Sequence, residues 1–198
     1  MKIHEYMHTT LGYSKYEIAQ INYFISSMIS DFSKILLLSI FFFTIHKINL
    51  FIPAAFILCL LRACTGGIHF KHYISCLAMS FLIFVTGICF LSYMQITKPL
   101  QIILLCICII INYLCSPVVS VFRPIPDGIK IQRSKQKSFL IIFSFMLLTF
   151  ILPKNQYIDI CFWMIILQSI QLFVAKIYRK VVFFIETYRK KTSDIISG

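Results

Sequence analysis

Residues 41–56 read FFFTIHKINLFIPAAF, and whether they continue one helix or turn back on themselves decides the fold. They join apolar runs at about 35–46 and 48–61, and further runs follow at about 73–94, 99–116, 138–152 and 156–175. The first two are short, since 12 residues of helix rise only roughly 18 Å against a hydrocarbon core of about 30 Å. Joined over 35–61, they would form one long tilted span with His46 and Lys47 buried at its middle. The cations choose between these readings. With a turn at His46–Lys47, six crossings place sixteen of the nineteen Lys and Arg residues on one side, leaving Lys47, Lys98 and Lys154 on the other. Five crossings would divide the cations between the two sides. The positive-inside rule therefore puts both termini, the 62–72 connection and the 117–137 loop in the cytoplasm.

Composition agrees with a membrane protein. Of 198 residues 59% are hydrophobic and only 13% charged, and the charges cluster between apolar runs. The expected fold is all-α: a polytopic membrane protein of about six transmembrane helices, preceded by an amphipathic interfacial helix. That first helix is read over 16–30, where Tyr16, Ile21, Phe24, Ile25 and Met28 recur at helical spacing and Gln20, Asn22, Ser26 and Ser27 dilute them. The chain then divides into an N-terminal cytoplasmic or interfacial segment (1–34), a transmembrane part (35–175) and a basic cytoplasmic tail (176–198), all within one membrane-embedded domain. No cleavable signal peptide is expected, because "MKIHEYMHTTLGYSKYE" has no early apolar region. The net charge of +12 does not indicate nucleic acid, since the cations flank apolar runs and form no stripe with exposed aromatics. Six of the eight cysteines lie within or at the ends of apolar runs, as small hydrophobes do. Cys64 and Cys76 are the exceptions.

Both exceptions sit in a polar island, Arg62 to Cys76, "RACTGGIHFKHYISC". A cytoplasmic thiol is kept reduced, so Cys76 is available as nucleophile or ligand. A nearby imidazole would take its proton and leave a thiolate. On one continuous helix His69 and Cys76, seven apart, share a face within about 20° but stand roughly 10 Å apart along the axis. Proton transfer needs contact at about 3 Å. Gly66-Gly67 relieves this as a chain break: with His69 on a loop and a helix starting around His72 to Ser75, the imidazole folds back over Cys76. The helix dipole lowers a first-turn thiol by only roughly one pK unit, so a His partner is still required. Two other readings stand beside the dyad. The island is an ordinary interfacial turn, or Cys64, His69, His72 and Cys76 form a zinc site, although Cys-x4-His-x2-His-x3-Cys is not a standard spacing.

A second cytoplasmic feature, Ser116 to Lys137, carries Pro117, Pro124 and Pro126 and then Gly128, which are expected to end the fourth span and prevent a helix. Arg123, Lys130, Arg133, Lys135 and Lys137 make it basic. It reads either as a topology and headgroup signal or as a rigid lip that receives an acidic segment of a partner.

These residues together resemble the accessory gene regulator B (AgrB) family of quorum-sensing peptide processors. The likeness rests on Arg62, Gly66-Gly67, and His69 and Cys76 seven apart, with "SPVVSVFRPIP" as a proline-bounded segment downstream. The resemblance implies a membrane-embedded cysteine endopeptidase with Cys76 as nucleophile, His69 as general base and acid, and Arg62, Gly66 and Gly67 shaping the site. It implies an AgrD-like propeptide as substrate: an amphipathic leader, a central signal segment with Cys or Ser, and an acidic tail. Cleavage passes through a Cys76 thioester and ends in a cyclised thiolactone or lactone. Arg123, Lys130, Arg133, Lys135 and Lys137 would hold the tail, with Pro117, Pro124 and Pro126 stiffening the loop. A homodimer is implied; membrane lipid is the other expected contact, and neither a cofactor nor a metal is expected. Two departures are that Ser116 stands where the family often has Ala, and that Cys64 adds a thiol beside the site.

A non-enzymatic transporter or scaffold is the contrasting reading. It fits poorly, because runs three to six hold no ionisable side chain except Asp159 near an end. The topology is testable in intact cells on a background without the native cysteines. A Cys at Gln132 should be shielded from an impermeant thiol reagent, and one at Asn155 should be labelled. The reverse pattern would defeat both the orientation and the placement of the island.

Overall fold

A computed structural model describes residues 14–67, 73–118 and 128–197. Among these the chain is helical with no strand: α1 (Lys15–Thr44), α2 (Ile48–Thr65), α3 (Tyr73–Val85), α4 (Lys98–Cys115), α5 (Gly128–Ile151) and α6 (Gln156–Ser197). A π-turn, Thr86–Phe90, and a 3-10 turn, Leu91–Tyr93, carry α3 onward. Five helical stretches are long and apolar enough to cross a membrane: Ile48–Thr65, Tyr73–Tyr93, Lys98–Cys115, Ile131–Ile151 and Gln156–Val181.

The chain does turn at His46. Its φ is 55°, in the left-handed region that His tolerates better than bulky or branched residues do. The His46 and Lys47 amides donate back to the carbonyls of Phe43 and Phe42, which closes α1 before α2 begins. Residues 35–61 are therefore two helices. The interfacial stretch and the first apolar run, expected as separate elements, are instead continuous in α1. Between Ser14 and Thr44 there is no Gly or Pro, so no residue interrupts the i to i−4 ladder. A capping box starts α1: the Ser14 hydroxyl accepts from the Glu17 amide, and the Ser14 amide donates to the Glu17 carboxylate at 2.9 Å. That backbone bond, helped by the Ser14 hydroxyl, holds the Glu17 carboxyl below its usual pKa.

The basic segment also differs from expectation. The helix α5 begins at Gly128, so Lys130, Arg133, Lys135 and Lys137 lie on its first turns and not in an irregular loop. Gly128 and the prolines before it are the last breakers; the "IKIQRSKQK" that follows contains only residues a helix accepts. Likewise, residues 176–197, expected as a tail, continue α6.

The helix α6 lies centrally against α2 and α4, and α5 completes a four-helix ring by packing on α4 and α2. The first helix docks on α2 and α3 through rings: Phe41 meets Phe81 at 4.9 Å and Phe42 stacks on Phe51 at 5.1 Å, while Phe51 of α2 meets Phe84 of α3 at 4.9 Å. Polarity is distributed as in lipid. Gln168 on α6 is fully buried, while Phe150 on α5 is 71% exposed. Large apolar side chains facing outward along several helices, over buried amides and hydroxyls, need a hydrocarbon surround. At one end of the bundle, Lys47 lies over the Tyr93 ring and Lys98 donates to the Leu152 carbonyl. At the other end the termini of α2, α4 and α5 converge, and there the polar island begins.

A candidate active site at the convergent helix ends

The end of α2 is set by its glycine. The Gly66 amide donates to the Arg62 carbonyl at 2.9 Å and closes the helix, and Gly66 then takes φ 74°. Glycine alone accepts such a backbone without strain. It also gives the chain room: a Cβ at Gly66 would stand 2.4 Å from the Val118 carbonyl oxygen. Gly66 and Val118 form a parallel bridge, and the Val118 amide donates to the Thr65 carbonyl at 3.0 Å. Gln168 from α6 adds its amide to the Thr65 hydroxyl and the Gly66 carbonyl, both at 3.2 Å. Ser134, one turn into α5, donates to the Cys64 carbonyl. Gly66 and the start of the proline-bounded segment, Ser116–Val118, read in sequence as parts of two features, are one structural unit. Pro117 belongs to it. Gly67 is less constrained, since a Cβ there would make ordinary contact with the Arg62 guanidinium, 3.5 Å from Nε.

Cys76 occupies the first turn of α3 as described, is only 6% exposed, and faces α1. One turn further along, the Ser80 hydroxyl accepts from Arg62 at 3.4 Å, so Arg62 joins the end of α2 to the face of α3 that carries Cys76. The contact that sequence reading missed comes from α1. Lys34, 5% exposed, donates to the Cys76 sulfur at 3.3 Å. Asp31 pairs with the same ammonium at 2.9 Å, and the Tyr73 ring lies 5.7 Å below it. The Tyr73 hydroxyl in turn is 2.8 Å from that of Ser33. The sequence carried one faint signal of this arrangement, a carboxylate three residues before the cation at the entrance to the first apolar run.

His69, the expected base, lies outside the described residues, as do His72, Arg123, Pro124 and Pro126. Of the cations expected to hold a substrate tail, Arg133 and Lys137 are exposed on α5, and Lys135 stacks over the Tyr113 ring at 5.1 Å. A second basic feature was not anticipated as a binding element. A cavity of about 300 Å³ lies beside the bridge, lined by Cys115, Pro117, Val118, Lys176, Arg179 and Lys180.

The Accessory gene regulator B family matches residues 1–172. A curated AgrB-like protein of Clostridium beijerinckii is 30% identical over 138 residues, which are 69% of this chain. The match spans 65% of that relative's own length. No solved structure matches the chain.

The two glycines should respond differently to substitution. Gly66→Ala combines a positive φ with a backbone clash and should lower stability by at least about 1–3 kcal/mol, read as a lower thermal midpoint in detergent. Gly67→Ala should melt within a few degrees of the parent. Equal behaviour would mean that the bridge to Val118 does not constrain the turn.

Proposed function

The chain belongs to the accessory gene regulator B family, and from that premise we propose that it is a membrane-embedded cysteine endopeptidase of quorum-sensing signal maturation. Cys76 is the nucleophile and His69 the general base and acid. The observation that carries the proposal is the buried Cys76 thiol in the first turn of a membrane-spanning helix, among polar groups of three elements: Lys34, Arg62 and Ser80. A plain interfacial turn has no need of such a setting.

The reaction follows from the chemistry of the groups. The His69 imidazole takes the Cys76 proton, and the thiolate attacks the peptide carbonyl between signal segment and tail. Collapse of the tetrahedral adduct breaks the C–N bond, the imidazolium returns its proton to the departing amine, and the tail leaves. A thioester remains on Cys76. A Cys or Ser within the signal segment then attacks it, restores the Cys76 thiol and closes a thiolactone or lactone. Exchange of one thioester for another costs little free energy, but water would hydrolyse the intermediate. A site sunk at the membrane boundary excludes water and favours ring closure.

The finer architecture is part of the same proposal. Six helices cross the bacterial cell membrane with both termini cytoplasmic, residues 16–30 lie at the lipid interface, and the protein works as a homodimer. An AgrD-like propeptide is received at the cytoplasmic face, its amphipathic leader on the membrane and its acidic tail on the basic surface of α5. The cavity cations Lys176, Arg179 and Lys180 offer a second basic surface beside the Gly66–Val118 bridge.

Cys76→Ala and His69→Ala should each abolish propeptide cleavage at unchanged membrane levels, while Cys64→Ala and His72→Ala retain substantial activity. Loss in all four, reproduced by a chelator, would replace the dyad with a zinc site. For the tail, single neutralisations of Arg133, Lys135 or Lys137 should change little, because an exposed pair contributes about 0.2–1 kcal/mol and is screened within about 8 Å. Replacing all three should raise KM several-fold with kcat nearly unchanged, as expected when uniform binding is lost. Normal processing by the triple variant at physiological salt would leave these cations as a topology signal only.

A further inference from the structure

Lysine at the mouth of an apolar run ordinarily extends its ammonium into water, using the aliphatic stem to cover apolar surface. Lys34 does the opposite. Its residue is 5% exposed and its Nζ points at the Cys76 sulfur, 3.3 Å away. Burying an ammonium is costly unless it is paired and hydrogen-bonded, and the partners here are the Asp31 carboxylate, the Cys76 sulfur and the face of the Tyr73 ring. We infer that the Lys34 ammonium is the fixed counter-charge of the Cys76 thiolate, a catalytic group additional to the Cys76–His69 pair. The inference rests on the proposed role of Cys76 as nucleophile.

The geometry supplies what the helix dipole does not. A first-turn position lowers a thiol by only roughly one pK unit, whereas an opposite charge within about 4–6 Å lowers an acid by about one to three. The charges around the sulfur do not all act alike. On α1, Lys34 favours the thiolate and Asp31 opposes it; on α2, Arg62, held on Ser80 one turn from Cys76, favours it. Asp31 is about half exposed while Lys34 is buried, so water screens the opposing charge far more than the favouring one. The surplus stabilises the thiolate. In the proposed reaction the Cys76 proton passes to His69, giving thiolate and imidazolium, while Lys34 keeps its own protons throughout. It stabilises the sulfur anion before attack and again when the signal segment displaces Cys76 from the thioester.

Alkylation of Cys76 tests this without any substrate. The full chain, in nanodiscs and with the other seven cysteines replaced, is treated with iodoacetamide across a pH series, and the midpoint of the rate profile is read. Lys34→Met and Lys34→Gln should both raise the midpoint by about one to three pH units. Lys34→Arg should stay within about half a unit of the parent, and Asp31→Asn should lower the midpoint. A merely structural Lys34 would not give these opposite signs. On propeptide, Lys34→Met should cut kcat at least tenfold with KM little changed. An unmoved midpoint in both neutral variants, at parental melting temperature, overturns the inference. Persistent cleavage by Cys76→Ala would instead refute the peptidase reading, an outcome separable from the alkylation profile.

Discussion

The hydrogen bond from the Val118 amide to the Thr65 carbonyl, 3.0 Å long, joins two chain segments that have both just left a helix. In a membrane protein that is an exacting place. Backbone groups released at a helix end, if they find no partner in a dry environment, cost several kcal/mol each. Thr65 and Gly66 end α2 inside the bundle, and their carbonyls are met by Val118 and Gln168. The exchange works only because Gly66 brings no Cβ to the crossing. Once it is made, the ends of α2 and α4 are fixed together with α6 between them. The position of Arg62, one turn back on α2, follows, and with it the contact to Ser80 beside the candidate nucleophile.

On the other flank, aromatic packing takes the place of backbone bonding. The rings of Phe41 and Phe42 hold α1 against Phe81 and Phe51, and α1 runs in the same direction as α3 beside it. Two or three turns below these rings, α1 delivers Lys34 to Cys76. The apolar contacts set the angle, and the buried charge is the group being aimed. A change in any of these rings acts at the sulfur through a helix, without touching it.

Much of this was legible in the sequence, for identifiable reasons. The turn at His46–Lys47 was read from the distribution of cations, which responds to membrane sidedness over the whole chain. The break at Gly66 was read from chain chemistry that needs no partner. Other features depended on partners the sequence does not display. The continuity of α1 was missed because Ser and Asn dilute its apolar pattern, although nothing there breaks the hydrogen-bond ladder. The basic stretch from Lys130 was assigned to an irregular loop because breakers precede it, yet their influence stops at Gly128. Lys34 was counted among the flanking cations. In one dimension an inward-facing lysine looks the same as a snorkelling one; only the pairing of residues 34 and 76 separates them.

The shortness of the apolar part of α1 bears on the lipid. From Lys34 to Thr44 the helix rises about 16 Å, little more than half the thickness of a typical hydrocarbon core. Acyl chains beside it must tilt, splay or recede, at a cost of a fraction of a kcal/mol for each ångström of mismatch. Under the proposed six-crossing topology the leaflet thins along this flank, and headgroups settle toward the level of Cys76. Under the proposed peptidase reading, a peptide adsorbed at headgroup depth then meets the thiol without its polar backbone entering hydrocarbon.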